Sequence, residues 1–202
     1  MKTRLFTAAI AFMAFTGAFA QKMKVESGNL DFLKGETEIN VVFNYEKATF
    51  YKENMSEEEY VEKRQKEIGS DKGKAEAEKW TKDWNESKEG SFIDKFIDIF
   101  NKTMDKPKIK ASKGNTAKYT VIVETVWIYP GWYGGVMKQP AKVSTLLKFV
   151  ETANPGKVLL TISSNEAPGD SFMGVGNNND RIAEGYAKTG KSLAAFLKKK
   201  MK

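Results

Sequence analysis

The sequence predicts an α+β fold: a two-layer sandwich with a mixed or antiparallel sheet of about four strands and helices mainly on one face. Three observations predict it. Some segments alternate apolar and polar residues with the period of half-buried strands, others repeat apolar residues at helical spacing, and short turns join the later strands. The order is strand, helical region, three strands and helix, which fits one sheet shielded by amphipathic helices.

The first strand is predicted over residues 37–45, where Ile39, Val41 and Phe43 fall on one face. Residues 28–36 precede it and are expected to form a short segment that packs on the core. The alternation indicates that one face of this strand is buried and the other is polar.

The helical region begins with a capping-box pattern, Ser56 followed by Glu59, which predicts a helix to about residue 68. The segment from Gly69 to Gly73 is expected to break or kink this helix, and a second helix follows. Gly90 is expected to end the second helix, and Ser91 to cap a third. The third has the strongest apolar stripe, which includes Phe92, Phe96 and Phe100.

Three consecutive strands follow, and their short connections predict an antiparallel meander. They cover residues 119–129, 141–151 and 157–163. The first of them carries apolar residues on both sides, so it is expected to be central and covered on both faces. Asp180 is expected to cap a final helix to about residue 200. Two glycines within that helix predict close packing against a neighbouring element.

The amino terminus has the layout of a secretory signal peptide. Lys2 and Arg4 precede an apolar run, and the small-x-small pattern of residues 18–20 predicts cleavage after Ala20. A membrane anchor is the weaker alternative, because the apolar run is shorter than a spanning helix requires. The remaining residues, 21–202, are expected to form a single globular α+β domain that is exported, either to the periplasm or into the medium, with no membrane span.

The composition restricts the chemistry. The chain contains no cysteine and no histidine, which excludes thiol nucleophiles, a Ser-His-Asp triad and a histidine-based zinc site. We therefore expect a non-catalytic protein without a cofactor. The net charge of +7 is a solubility feature, and no basic stripe is interleaved with aromatic residues, so nucleic acid is not an expected partner.

Several motifs resemble an uncharacterised family of exported proteins from Gram-negative bacteria. They are Glu59-Tyr60-Val61, the Trp80…Trp84 pair, Phe96…Phe100-Asn101, Pro130-Gly131 after a strand, and Arg181-Ile182…Tyr186-Ala187-Lys188. The order of elements is also similar to small α/β domains of envelope accessory proteins, such as the amino-terminal domain of the Tol translocation protein and the curli-secretion lipoprotein. The resemblance implies an envelope location and attaches no activity.

The first candidate contact surface is an aromatic turn at residues 129–135. Tyr129, Trp132 and Tyr133 lie there among three glycines, and exposed rings of this kind stack on sugars or anchor a partner protein. Aromatic side chains are usually at least partly buried, however, so the favoured alternative is that the rings fold back over the edge of the sheet.

The second candidate is a long Gly/Asn-rich loop at residues 165–179, in which Phe172 and Met173 are apolar. Loops of this length are often functional. These two side chains are expected either to contact a partner or to pack into the core.

Carboxylates define the alternative function. Asp94 and Asp98 share a helix face, where a solvated surface is favoured over a catalytic pair. Glu124 lies in the central strand and requires a charged partner or a raised pKa if it is buried.

The leading hypothesis for the function is an accessory protein that binds an envelope protein or a glycan. The alternative is a carboxylate-dependent polysaccharide hydrolase, and a structural subunit is a third possibility. The oligomeric state is not predicted.

Overall fold

The computed structural model describes residues 22–106, 108–114, 116–134, 137–170 and 177–201. The predicted signal segment, Phe172 and Met173 lie outside these ranges. The helices are α1 (Glu57–Lys72), α2 (Lys74–Glu86), α3 (Phe92–Thr103) and α4 (Asn178–Lys200). The strands are β1 (Lys22–Gly28), β2 (Glu38–Asn44), β3 (Thr49–Phe50), β4 (Lys110–Ser112), β5 (Tyr119–Tyr129), β6 (Trp132–Gly134), β7 (Met137–Gln139), β8 (Ala141–Glu151) and β9 (Asn154–Gly169).

The α+β class is confirmed, and the sheet is larger than predicted. Seven strands form one mixed sheet in the order β1-β9-β8-β5-β2-β4, with β3 also paired to β5. The meander of β5, β8 and β9 is antiparallel as predicted, whereas β2 runs parallel to β5. The sequence missed β1 because it is an exposed edge strand with charged residues, such as Lys24 and Glu26. It missed β3 and β4 because these strands have only two and three residues, too few to show an alternation of apolar and polar residues.

The predicted breaks in the helical region are partly wrong. The capping box of Ser56 and Glu59 is present, but α1 continues through Gly69 and ends at Gly73, where φ is 91°. Ser91 caps nothing, because residues Ser87–Ser91 form a π-helical turn that joins α2 to α3 without interruption. A glycine inside a helix costs only about 1 kcal/mol relative to alanine, so Gly90 is tolerated there.

Within the described residues, none of the helices meets the length and apolarity needed to cross a membrane.

A β-bulge in β5 changes which residues face the core. Thr125 pairs with Thr145 but Trp127 pairs with Ser144, so Val126 is the extra residue. Alternate residues from Tyr119 to Thr125 are buried, and beyond the bulge Ile128 is buried while Val126 is exposed. The strand is central, but the exposure of Val126 shows that its second face is not fully covered.

Helix α4 packs closely on both the sheet and α3. A Cβ added to Gly185 would lie 2.7 Å from Val143 Cγ2, and one added to Gly190 would lie 2.4 Å from the carbonyl oxygen of Phe96. Between these glycines, the buried Tyr186 hydroxyl lies 2.7 Å from Thr125 Oγ1, within hydrogen-bond distance. The predicted close packing of α4 is thus confirmed.

We expect Gly190→Ala to lower the free energy of unfolding by roughly 1–3 kcal/mol, because the new methyl group meets backbone atoms of α3 that cannot rotate away. Denaturant unfolding measures the change. The matched control is Gly69→Ala in α1, whose added Cβ would lie 4.0 Å from its nearest neighbour and should stabilise the protein by about 0.5–1 kcal/mol. Equal effects of the two substitutions would contradict this account of α4.

Candidate functional site

A cavity of about 460 Å³ lies where the end of β5, the β6–β7 ribbon, α1 and the start of α4 meet. We call it the turn cavity. Its lining has an aromatic half and a polar half. The aromatic half consists of Tyr51, Tyr129, Trp132 and Tyr133, with Gly131 between them. The polar half consists of Arg64, Glu67, Asn177, Asn178 and Arg181.

The predicted aromatic turn is a two-stranded ribbon. Strands β6 and β7 pair antiparallel, with Trp132 opposite Gln139 and Tyr133 opposite Lys138. Gly131 makes the sharp entrance to the ribbon, with φ at 70°. A Cβ at this position would lie 2.5 Å from the carbonyl oxygen of Gln139, so the chain can turn this tightly only at a glycine.

One amide side chain holds two of the rings in place. The Oε1 atom of Gln139 accepts a hydrogen bond of 2.6 Å from the Tyr129 hydroxyl and one of 3.1 Å from Trp132 Nε1. Trp132 and Tyr133 are nevertheless 43% and 52% exposed. The expectation that the rings fold back over the sheet edge is therefore wrong for these two, because the ribbon carries them beyond the sheet.

Tyr51 completes the aromatic half in an unusual backbone conformation. Its φ is 58°, in the left-handed region that costs a non-glycine residue about 1–2 kcal/mol. The conformation is held on both sides by β5: the Tyr51 N–H donates to the Ile128 carbonyl at 3.0 Å, and its carbonyl accepts from Trp127 Nε1 at 2.6 Å. Strained residues of this kind concentrate at functional sites. Burial raises the pKa of the Tyr51 phenol, and the charge of Arg64 opposes this shift.

Arg64 in α1 is the first cation of the polar half. Its side chain is 22% exposed, and Nη1 donates to Glu67 Oε2 at 2.5 Å. The guanidinium carbon lies 5.7 Å from the centre of the Trp80 ring. Among the described residues, the buried Nε atom of Arg64 has no hydrogen-bond partner.

Arg181 is the second cation and comes from the first turns of α4. The residue is only 8% exposed, and Nη2 donates to Asn178 Oδ1. Burial lowers the pKa of the Arg181 guanidinium; the charge of Arg64 lowers it too, while the charges of Asp170 and Asp180 oppose the shift. The two arginines therefore bring two like charges to the lining of one cavity.

The start of α4 differs from the prediction. Asn177 is the N-cap and Asp180 is the third helical residue, and the two form a reciprocal capping box. The helix begins earlier than predicted because Asn177 Oδ1 accepts from the Asp180 N–H, so Asn177 and not Asp180 is the N-cap. The first residues of the predicted long loop instead belong to β9, which continues to Gly169.

The predicted carboxylate candidates lie apart from the turn cavity. Asp94 and Asp98 are on the exposed side of α3, where Asp94 pairs with Lys113 at 2.8 Å. Glu124 is buried and has the partner that its burial requires, Lys148 at 2.8 Å. Within the described part of the chain, no group of three acidic side chains is placed to hold a metal ion.

Sequence reasoning found Tyr129, Trp132 and Tyr133 but missed Tyr51 and the polar half. Arg64 and Arg181 look like ordinary surface charges because each has acidic neighbours in sequence. The rarity of arginine is the feature of the sequence that could have identified them. Of the 33 basic residues in the chain, only three are arginine.

The structure is that of an α+β protein with a seven-stranded mixed sheet. The turn cavity lies at the end of β5, and the β6–β7 ribbon forms one of its walls. No protein-family model and no curated protein matches the chain. Among solved structures, the chain is similar to the PelC dodecamer from Paraburkholderia phytofirmans, with 13% identity and a TM-score of 0.40 over 86% of this chain and 96% of that chain. A variant of the same PelC aligns at 11% identity and a TM-score of 0.35, with the same coverage. Similarity this low supports no conclusion about function or assembly.

We expect Gln139→Ala to release Trp132, because it removes the acceptor for the indole N–H. A neutral hydrogen bond contributes about 0.5–1.5 kcal/mol, so the Trp132 indole proton should exchange with solvent roughly two- to tenfold faster. Nuclear magnetic resonance measures this, with the signal assigned by Trp132→Phe. Gln139→Glu keeps an acceptor oxygen and serves as the control. An unchanged exchange rate in Gln139→Ala would show that Gln139 does not hold the ring.

Proposed function

We propose that this chain is a non-catalytic, exported glycan-binding protein that holds a saccharide in the turn cavity. One observation carries the proposal: Trp132 and Tyr133 are exposed yet are part of a paired ribbon beside a cavity, and Gln139 fixes the Trp132 ring. Exposed aromatic rings with fixed orientation offer a flat apolar face and a polar edge, which suits the alternating faces and hydroxyls of a sugar.

The shape and lining of the cavity favour a saccharide over a protein partner. Its volume of about 460 Å³ falls in the range of small-molecule sites, which combine aromatic walls with a few polar groups that fix orientation. Asn177, Asn178 and the phenol of Tyr51 supply such groups. A protein partner would instead be matched by a broader, flatter surface.

The location and layer arrangement complete the proposal. The signal-peptide pattern of the first twenty residues supports export to the periplasm or the medium. A two-layer arrangement is supported by α3 and α4, which contact the same face of β2: the Phe43 ring centre is 5.7 Å from that of Phe96 and 5.1 Å from that of Tyr186.

Trp132→Ala should weaken saccharide binding about fivefold, because the loss of one stacked ring costs on the order of 1 kcal/mol. Isothermal titration of the purified protein with neutral and acidic oligosaccharides measures the change. Met137→Ala is the matched control: Met137 is a 64% exposed apolar residue on the same ribbon but outside the cavity lining. The proposal fails if no oligosaccharide binds, or if both variants bind as the wild type does.

A further inference from the structure

The distribution of arginine in this chain is uneven. Of its 33 basic residues only three are arginine, and Arg4 lies in the predicted signal segment. The other two, Arg64 and Arg181, are 117 positions apart in the sequence, yet both line the turn cavity. A chain that uses lysine almost everywhere else therefore places its remaining arginines at one site.

Arginine and lysine differ in what they recognise. The guanidinium is a rigid planar fork that binds carboxylate groups through two parallel hydrogen bonds, whereas the lysine ammonium is a strongly hydrated point charge. Lysine suits a solvated surface, and arginine suits a partly buried site that must orient an anion. Both arginines of the turn cavity are largely buried: Arg181 is 8% exposed, and the side chain of Arg64 is 22% exposed.

The groups around the two arginines include three carboxylates, those of Glu67, Asp170 and Asp180. Arg64 has a buried Nε donor with no hydrogen-bond partner among the described residues, and a buried donor without a partner is unfavourable. Of the acidic groups nearby, Asp180 is engaged in the capping box of α4, and Asp170 pairs with Lys138 at 2.7 Å. Glu67 is the carboxylate that lines the cavity itself.

We infer that the ligand of the turn cavity is an acidic saccharide, whose carboxylate lies against Arg64 and Arg181 while its ring lies on Trp132 and Tyr133. This inference rests on the proposed glycan-binding function and names the class of glycan. The two halves of the cavity then have separate tasks: the aromatic half binds the ring, and the polar half selects for charge.

Glu67 sets the strength of that selection. It holds Nη1 of Arg64, so a ligand carboxylate shares the guanidinium with Glu67 and is repelled by it. Glu67→Gln removes the repulsion and should tighten the binding of an acidic saccharide about threefold to tenfold. Binding of a neutral saccharide should be unchanged, because it places no charge beside this residue.

The experiment compares trimers of galacturonate, glucuronate and mannuronate with their methyl esters, which keep the sugar ring and remove the charge. At least one acid should bind the wild-type protein ten times more tightly than its ester by isothermal titration, and this preference should decrease as salt is added. Arg64→Gln should abolish the preference, and Arg64→Lys should restore only part of it. Lys66→Gln is the matched control, because it removes one positive charge from an exposed position of α1.

The outcomes separate this inference from the proposed function. If esters bind as tightly as acids and binding still depends on Trp132, the inference is wrong and the glycan-binding function stands. If neither acids nor esters bind, the inference is wrong, and the glycan-binding function is also wrong if no neutral oligosaccharide binds. Tighter binding of a glutamate hexapeptide than of every acidic trimer, with the same dependence on Arg64, would overturn the inference in favour of an acidic protein partner. Arg64 variants need a circular dichroism spectrum like that of the wild type, and Glu67→Gln provides an independent test if they fail to fold.

Discussion

The fold and the turn cavity both depend on how closely α4 approaches its neighbours. Gly185 lies against Val143 of the sheet and Gly190 lies against the backbone of α3. Gly169, at the end of β9, lies so close to α4 that its added Cβ would be 1.9 Å from the Arg181 carbonyl oxygen. Any larger side chain at these positions would move the helix, and Asn177, Asn178 and Arg181 would move with it. The position of the polar half of the cavity is therefore set by packing in the core.

The sequence predicted the fold well where the pattern of apolar residues matches the pattern of burial in the structure. Strand β8 has the predicted boundaries because its buried residues alternate along its length. The failures occur where a local signal competes with tertiary structure. The Gly90-Ser91 pair reads as a helix end, but it lies in a π-helical turn between two helices that pack on the same core. The bulge at Val126 reverses the alternation of buried and exposed residues along β5, and no sequence pattern indicates its position.

The candidate site was predictable only in its aromatic half. Three rings within five residues form a local pattern, so Tyr129 and Trp132 could be found by inspection. Their exposure could not, because it depends on a ribbon in which Gln139 pairs with Trp132 across the chain. The polar half brings together α1 and α4, whose cavity residues are more than one hundred positions apart. Contacts at that separation are a consequence of topology, and single-sequence patterns do not report them.

The two halves of the cavity also differ in how their energies respond to solution conditions. Stacking on Trp132 and Tyr133 depends on apolar area and is insensitive to salt, whereas attraction to Arg64 and Arg181 is electrostatic and is screened as ionic strength rises. The buried position of Arg181 limits that screening, and the pairing of Arg64 with Glu67 limits the attraction. Under the proposed function, the ring contacts would be common to many saccharides, and the balance between two arginines and one glutamate would decide which of them is retained.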